Sequence, residues 1–293
     1  MSYVYSAMLA SNTADNTAFR AWGSAISSSL ANSGWAQAND AGQINWTTVT
    51  ANGTGGNVAG YEIWHMNDAL QAAAPVYCKF SYGTSITTNG PRFSYQMGSG
   101  SDTIGNLTGP ISATYVLDIV SIFMTPLQPC FFSGANNRFA MSLYPGVAGN
   151  IGARIFTIER THDAGGNDTT YGVLQMQQYA TTGPQAPMQV LWSPVIGTIT
   201  TENFINTALS TPVSSTGYQT AFYPAFFSNG VYLFPALSLM MTSINTVTIY
   251  SPVTLPFYGG YHTYIPFRAR NAGNWYDTRN IACTATQSLM LWE

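Results

Sequence analysis

The sequence predicts a mostly-β chain, a β-sandwich or jelly-roll-like fold with one N-terminal α-helix. Three observations carry this. A single segment holds a helical period, short runs rich in β-branched and aromatic residues recur along the remainder, and Gly- and Asn-rich turns separate those runs. The 293 residues read as one β-rich domain, residues 1–293. A subdivision near 98–110 competes with that reading: Gly98-Ser99-Gly100-Ser101-Asp102, continuing to Gly109-Pro110, suits either a boundary or a long loop inside one domain.

The helix comes first. Phe19, Trp22, Ile26 and Leu30 share a face at spacings of three and four. Asn12, Thr13 and Asp15 are N-cap candidates, and Asn32-Ser33-Gly34 supplies the stop, with Gly suited to a left-handed cap. The opposite face carries Ser24, Ser27 and Ser28 without charge, so the helix is expected to pack on both sides.

Strands are expected from Gln43 to Val49 and from Tyr61 to Met66, around the loop Ala51 to Gly56. Val76, Cys78, Phe80 and Tyr82 alternate with Tyr77, Lys79 and Ser81, the period of a half-buried strand. Gly83 to Gly90 turns it back into Arg92 to Met97. Phe139, Met141 and Leu143 share one face of a further strand. Ile155 to Arg160 and Tyr171 to Gln177 flank a hairpin tip at residues 162–168, and Phe222 to Phe227 and Val231 to Phe234 flank Ser228-Asn229-Gly230. Thr246 to Tyr250 and Ile281 to Trp292 complete the series. Pro252, Pro256 and Pro266 fit edge strands or connections, not central strands. No repeat of fixed period is present.

Composition narrows function. Charged residues make up 7% of the chain, against about 25% in ordinary domains. Lys79 is the sole lysine and the net charge is −3. Such a chain has little repulsion to hold its copies apart, and its 18 Tyr and 7 Trp suit interface cores as well as sheet cores. An assembling subunit, a homo-oligomer, is favoured over a free enzyme. The few scattered basic residues do not form the patch that nucleic acid requires.

Cys78, Cys130 and Cys283 are too widely spaced for a zinc ribbon or redox pair; one disulfide competes with the favoured reading as buried free thiols, which suits assembly in a reducing cytoplasm. Met1 to Tyr5 do not resemble a secretory signal. The most apolar run, Val231 to Met241, contains Pro235 and is shorter than the about twenty residues that cross a bilayer. Membrane insertion is not expected.

Few groups suggest chemistry. In Glu159-Arg160-Thr161-His162-Asp163 a histidine sits among carboxylates. Regular strand alternation puts Glu159 and Asp163 on one side and His162 on the other, so a strand-end charge cluster is expected there, not a catalytic one. His65 and His262 lack any ligand spacing, and no metal or cofactor site is predicted. Gly98 to Gly109 lacks the Gly-Lys-Ser/Thr of a phosphate cradle, and no G-x-S-x-G elbow occurs. Asp118 and Glu159 are the carboxylates to check for glycoside hydrolysis. Exposed Trp and Tyr could equally stack on host surface glycan.

Several segments carry a resemblance together. Phe19-Arg20-Ala21-Trp22-Gly23 leads through Ser33-Gly34-Trp35 to Asp40-Ala41-Gly42-Gln43-Ile44-Asn45-Trp46, then to Tyr61-Glu62-Ile63-Trp64-His65-Met66-Asn67-Asp68 and Leu70-Gln71. Ala74-Pro75-Val76-Tyr77-Cys78-Lys79-Phe80-Ser81-Tyr82-Gly83, Ile158-Glu159-Arg160-Thr161 and Ser288-Leu289-Met290-Leu291-Trp292-Glu293 extend it. This pattern resembles a group of tailed-bacteriophage virion structural proteins associated with the tail. The resemblance implies a virion subunit at the tail tip, baseplate, collar or fibre base, assembled in the host cytoplasm with other virion proteins as partners. It brings no catalytic residues. The alternatives are a capsid decoration or cement protein and a host-polysaccharide-binding or depolymerising protein.

Overall fold

The structure is a computed structural model that describes residues 2–10, 13–51, 58–85, 90–118, 127–144, 154–178, 188–199, 203–204, 222–228, 233–242, 250–257, 260–268, 275–276, 282–283 and 287–292. These residues are mostly β, in antiparallel sheets of a β-sandwich-like fold, with a single helix near the N-terminus. The chain divides into two compact units, residues 1–139 with 192–198, and residues 140–191 with 199–293. The stretch 98–110 lies inside the first.

The helix, α1 (Asn16–Asn32), is capped by Asp15, whose Oδ1 accepts the Ala18 amide at 2.9 Å. Ser33 and Gly34, at φ +93°, end it. Phe19, Trp22, Ile26 and Leu30 are all buried, as their spacing predicts. Thr13, a rival cap candidate, instead meets the Thr84 hydroxyl. Asn12 lies outside the described residues. On the opposite face Ser24 and Ser27 are half-buried, while Ser28 is exposed.

Strands β1 (Tyr3–Leu9), β2 (Ala36–Gln37), β3 (Val58–His65), β4 (Tyr77–Thr84), β5 (Pro91–Gly98), β6 (Gly100–Ser101), β7 (Leu107–Thr108), β8 (Tyr115–Asp118), β9 (Gln128–Ala135) and β10 (Arg138–Tyr144) follow in chain order. The order β2-β3-β4-β5-β8 forms one sheet, and β1 pairs with β9. In β4 the expected alternation holds, with Cys78, Phe80 and Tyr82 buried and Tyr77, Lys79 and Ser81 half-buried. Strand β8 carries Asp118, which the sequence placed in a strand-like segment, whereas β1 and β9 were not expected from the sequence.

One expected strand is absent. Residues 43–49 form turns and irregular chain because their polar groups are bonded elsewhere. Arg20 Nε and Nη2 donate to the Val49 and Thr48 carbonyls, and Asn45 Oδ1 accepts from the Thr47 amide. Trp46 thereby lands on the helix beside Gly23, where a Cβ would run into its indole ring. Gly23→Ala is expected to destabilise the first unit by about 1–3 kcal/mol through overpacking, read as a lower urea midpoint. An unchanged midpoint would show that the Trp46 ring can move aside.

The second unit carries β11 (Arg154–His162), β12 (Asp168–Gln178), β15 (Asn203–Phe204), β16 (Phe222–Ser228), β17 (Leu233–Thr242), β18 (Val253–Phe257), β19 (Gly260–Arg268), β20 (Trp275–Tyr276), β21 (Ala282–Cys283) and β22 (Gln287–Leu291). Boundaries between units fall inside β10, β13 (Met188–Ser193) and β14 (Gly197–Ile199). A six-stranded sheet has the order β15-β16-β17-β22-β19-β18. Ser228 at the end of β16 pairs with Leu233 at the start of β17; the expected turn at Asn229-Gly230 lies outside the described residues, as does most of Thr246 to Tyr250.

Pro256 sits on edge strand β18, as expected, but Pro266 corrects the sequence reading by lying in β19, between β18 and β22. The Pro266 carbonyl accepts the Tyr250 amide at 3.0 Å. In an antiparallel strand a residue's N–H and C=O project to the same side. The missing N–H therefore faces the Tyr250 turn beyond the end of β18, and no bond to β22 is lost.

The same turn closes one hairpin in each unit. In Asp102-Thr103-Ile104-Gly105-Asn106 and Asp163-Ala164-Gly165-Gly166-Asn167 the Asp amide donates to the Asn carbonyl, at 3.0 and 2.9 Å. Each Asp carboxylate accepts the amides two and four residues on and the Asn side chain. Gly105 and Gly166 supply the positive φ. Bonds from Asn106 and Asn167 hold both carboxyls below the usual aspartate range.

Candidate functional site

The sequence cluster at 159–163 belongs to a buried polar constellation in the second unit, assembled where two strand pairings fall out of register. The first irregularity lies where β11 meets β12: pairing passes from Arg160↔Val173 to His162↔Asp168, so β12 advances five residues while β11 advances two. At Thr161 a side-chain hydroxyl, not the backbone, bonds the Gly172 amide and carbonyl, and regular alternation ends there. His162 lies beside Glu159, which corrects the expectation from regular alternation that it faces away. Its Nδ1 lies 3.3 Å from Asp168 Oδ1 and its Nε2 4.0 Å from Glu159 Oε2. The carbonyl of Thr161, between the two registers, accepts the Thr169 hydroxyl. Asp163, expected beside Glu159, is committed to the hairpin turn.

The second irregularity lies where β16 meets β17. Pairing jumps from Pro224↔Met240 to Phe226↔Pro235, which leaves the amides around residues 236–239 out of step with β16. Glu159 fills the gap. Its Oε1 accepts the Leu237 amide at 2.7 Å, and its Oε2 accepts the Ser238 amide at 2.8 Å together with the Ser238 hydroxyl. The Leu237 carbonyl accepts the Tyr264 hydroxyl at 3.1 Å, and Leu237, Leu255, Tyr264 and Leu291 form an apolar core there. Glu159 is fully buried, and both its oxygens are engaged in joining β11 to β17.

Burial disfavours a charged His162, but hydrogen bonding to Asp168 and Glu159 and their negative charge more than offset it, raising its pKa to about 9. A raised histidine pKa contributes stability that is complete below its unfolded value of about 6.5 and is lost as pH climbs through about 9. The second unit is expected to lose about 3 kcal/mol between those limits. Urea midpoints at pH 6 and pH 10 measure this, and His162→Gln is expected to flatten the difference. A slope that survives the substitution would assign it to other groups.

A second buried carboxylate lies in the first unit. Glu62 accepts from Ser27 Oγ at 2.8 Å, Trp46 Nε1 at 3.1 Å and the Tyr82 hydroxyl at 2.7 Å. An ionised carboxylate, an acceptor only, matches three donors. Around it Trp46 and Trp22 meet Tyr82 edge-on, with ring centroids 4.9 and 5.8 Å apart. Burial and the Glu62 charge push the Tyr82 phenol well above its ordinary range.

The remaining sequence candidates are placed separately. Asp118 ends β8 in the first unit, opposite Arg92 in register, whereas Glu159 belongs to the second. His65 Nδ1 lies 2.8 Å from the Met66 carbonyl, and its ring meets that of Tyr77. His262 pairs with Leu255 in register. Cys78 and Cys130 are buried thiols outside any disulfide; burial raises both, Cys130 to about 12. The Cys283 side chain lies outside the described set. Among the described residues no three His, Cys, Asp or Glu gather to hold a metal, and no helix is long and apolar enough to cross a membrane. Lys79 Nζ donates to the Gly105 carbonyl at 2.6 Å and lies over the Tyr61 ring. No protein-family model matches the chain, and no curated protein matches it.

Proposed function

We propose that this chain is a structural subunit of a tailed-phage virion, associated with the tail and built into it through contacts with other virion proteins and with its own copies. The observation that carries the reading is how little charge is left for the surface. The composition is already poor in charge, and Asp40, Glu62, Glu159 and Arg160 are buried inside the units. The sole lysine is spent on a carbonyl and a tyrosine ring. A chain that is poor in charge and spends part of it inside its own units keeps an exterior of low charge, which favours permanent neighbours over free diffusion. The resemblance of the 19–83 segments to tail-associated virion proteins points the same way.

Immunogold labelling of purified particles with an antibody to this chain tests the proposal. Gold at the tail is expected. Gold spread over the head would replace the tail assignment with a decoration role, and unlabelled particles would overturn the virion reading.

A further inference from the structure

Sheet edges are open templates for another strand, and proteins usually blunt them with short strands, charge, proline or bulges. Most edges among the described residues follow that rule. β2 and β15 have two residues each, β14 three and β8 four, while β18 carries Pro256. β1 does not. Among the described residues it ends its sheet, paired with β9 alone, and runs seven residues in unbroken register from Tyr3↔Gly134 to Leu9↔Gln128. It contains no proline and no bulge, and none of residues 2–14 is charged. Val4, Tyr5 and Met8 are 36%, 41% and 57% exposed.

We propose that β1 is a self-pairing edge, at which two copies of this chain join antiparallel about a two-fold axis through Ser6. The sequence is self-complementary in that register. Side chains directly opposite each other across an antiparallel pair share a face. Val4 then lies against the partner's Met8, so the two exposed aliphatic side chains of each copy cover one another. Tyr5 lies against the partner's Ala7, a large side chain beside a small one, and Tyr3 against the partner's Leu9. Ser6 faces its own counterpart, and no like charges meet. An interface of this kind is isologous and closes at two copies. A seven-residue strand contributes less than the about 800 Å² per partner of a standard interface, so the dimer dissociates on dilution.

This inference goes beyond the virion reading and is tested without particles. Sedimentation of the purified chain over a concentration series is expected to show a reversible monomer–dimer equilibrium. Ser6→Lys, at an exposed position, sets two like charges face to face on the axis and weakens association at least tenfold while circular dichroism stays unchanged. Val4→Lys weakens it too, and adding Met8→Glu in the same chain restores it, because opposite charges then meet across the axis. A wild-type chain that stays monomeric throughout, or a Ser6→Lys variant that associates as the wild type does, overturns the proposal. A double variant that fails to recover overturns the register. If the pure chain is monomeric and β1 amides become protected only when another virion protein is added, the edge belongs to that protein. Failure here with gold at the tail would leave the virion reading standing.

Discussion

Glu159→Ala is expected to cost the second unit about 3–5 kcal/mol, the range for removing one member of a buried charged network. The substitution strands the Leu237 amide, the Ser238 amide and the Ser238 hydroxyl in a dry site, all of which point at one carboxylate in the native chain. It also withdraws one of the two carboxylates that keep His162 charged. No backbone partner can replace it, because the register of β17 has already slipped away from β16 at that point. Glu159→Gln keeps the shape but aims an NH₂ donor at donors, so it is expected to recover only part of the loss. Hydrogen exchange resolved by segment gives the readout: amides at 237–238 and in β11 lose protection, while those of α1 do not. Unchanged protection at 237–238 would mean that water or a rearranged strand takes over, and the carboxylate would not be the link between β11 and β17.

In the first unit, Glu62→Ala is expected to cost a similar 3–5 kcal/mol. Glu62 joins three elements: Ser27 from α1, Trp46 from the irregular 43–49 segment and Tyr82 from β4. Its loss leaves the buried Tyr82 hydroxyl and the half-buried Ser27 and Trp46 donors facing one another, and frees the indole that Gly23 was shaped to receive. Tyr82→Phe removes a single donor and is expected to cost about 0.5–1.5 kcal/mol. Urea unfolding followed by tryptophan fluorescence compares the two, since Trp22 and Trp46 both pack on Tyr82. Equal midpoints for Glu62→Ala and Tyr82→Phe would show that only the phenol bond counts and that the other two donors find water.

The elements read correctly from sequence are those whose signal is local. Helix α1 has a 3.6-residue apolar period, a side-chain cap and a glycine stop within a single stretch. The β4–β5 hairpin shows a period of two between turns, and β11–β12 flank a turn whose D-x-x-G-N pattern also occurs at 102–106. That five-residue match could have been found in the sequence and would have placed β6 and β7. The unexpected strands β1 and β9 had weaker signals: Tyr-Val-Tyr alternates between two apolar kinds, so period two was invisible without a polar face. The segment 43–49 failed for the opposite reason. Gln-Ile-Asn-Trp-Thr-Thr-Val has strand-like propensity, but Arg20 and Asn16 on the helix bond its carbonyls and the amide of Ala51 just beyond it, and that tertiary capture overrides propensity.

The two buried carboxylates mark the same division. By itself the sequence determined the fold class, the helix and its caps, the hairpin turns and the scarcity of charge, because each depends on neighbours within a few residues. Only the tertiary structure decided that Glu62 and Glu159 are interior anchors and that His162 faces Glu159. Those facts depend on register, which slips where β12 advances five residues against two in β11 and so ends the regular alternation. They depend as well on backbone amides at Leu237 and Ser238, far along the chain, whose availability is fixed by how β16 and β17 fall out of step and which no residue pattern near position 159 records.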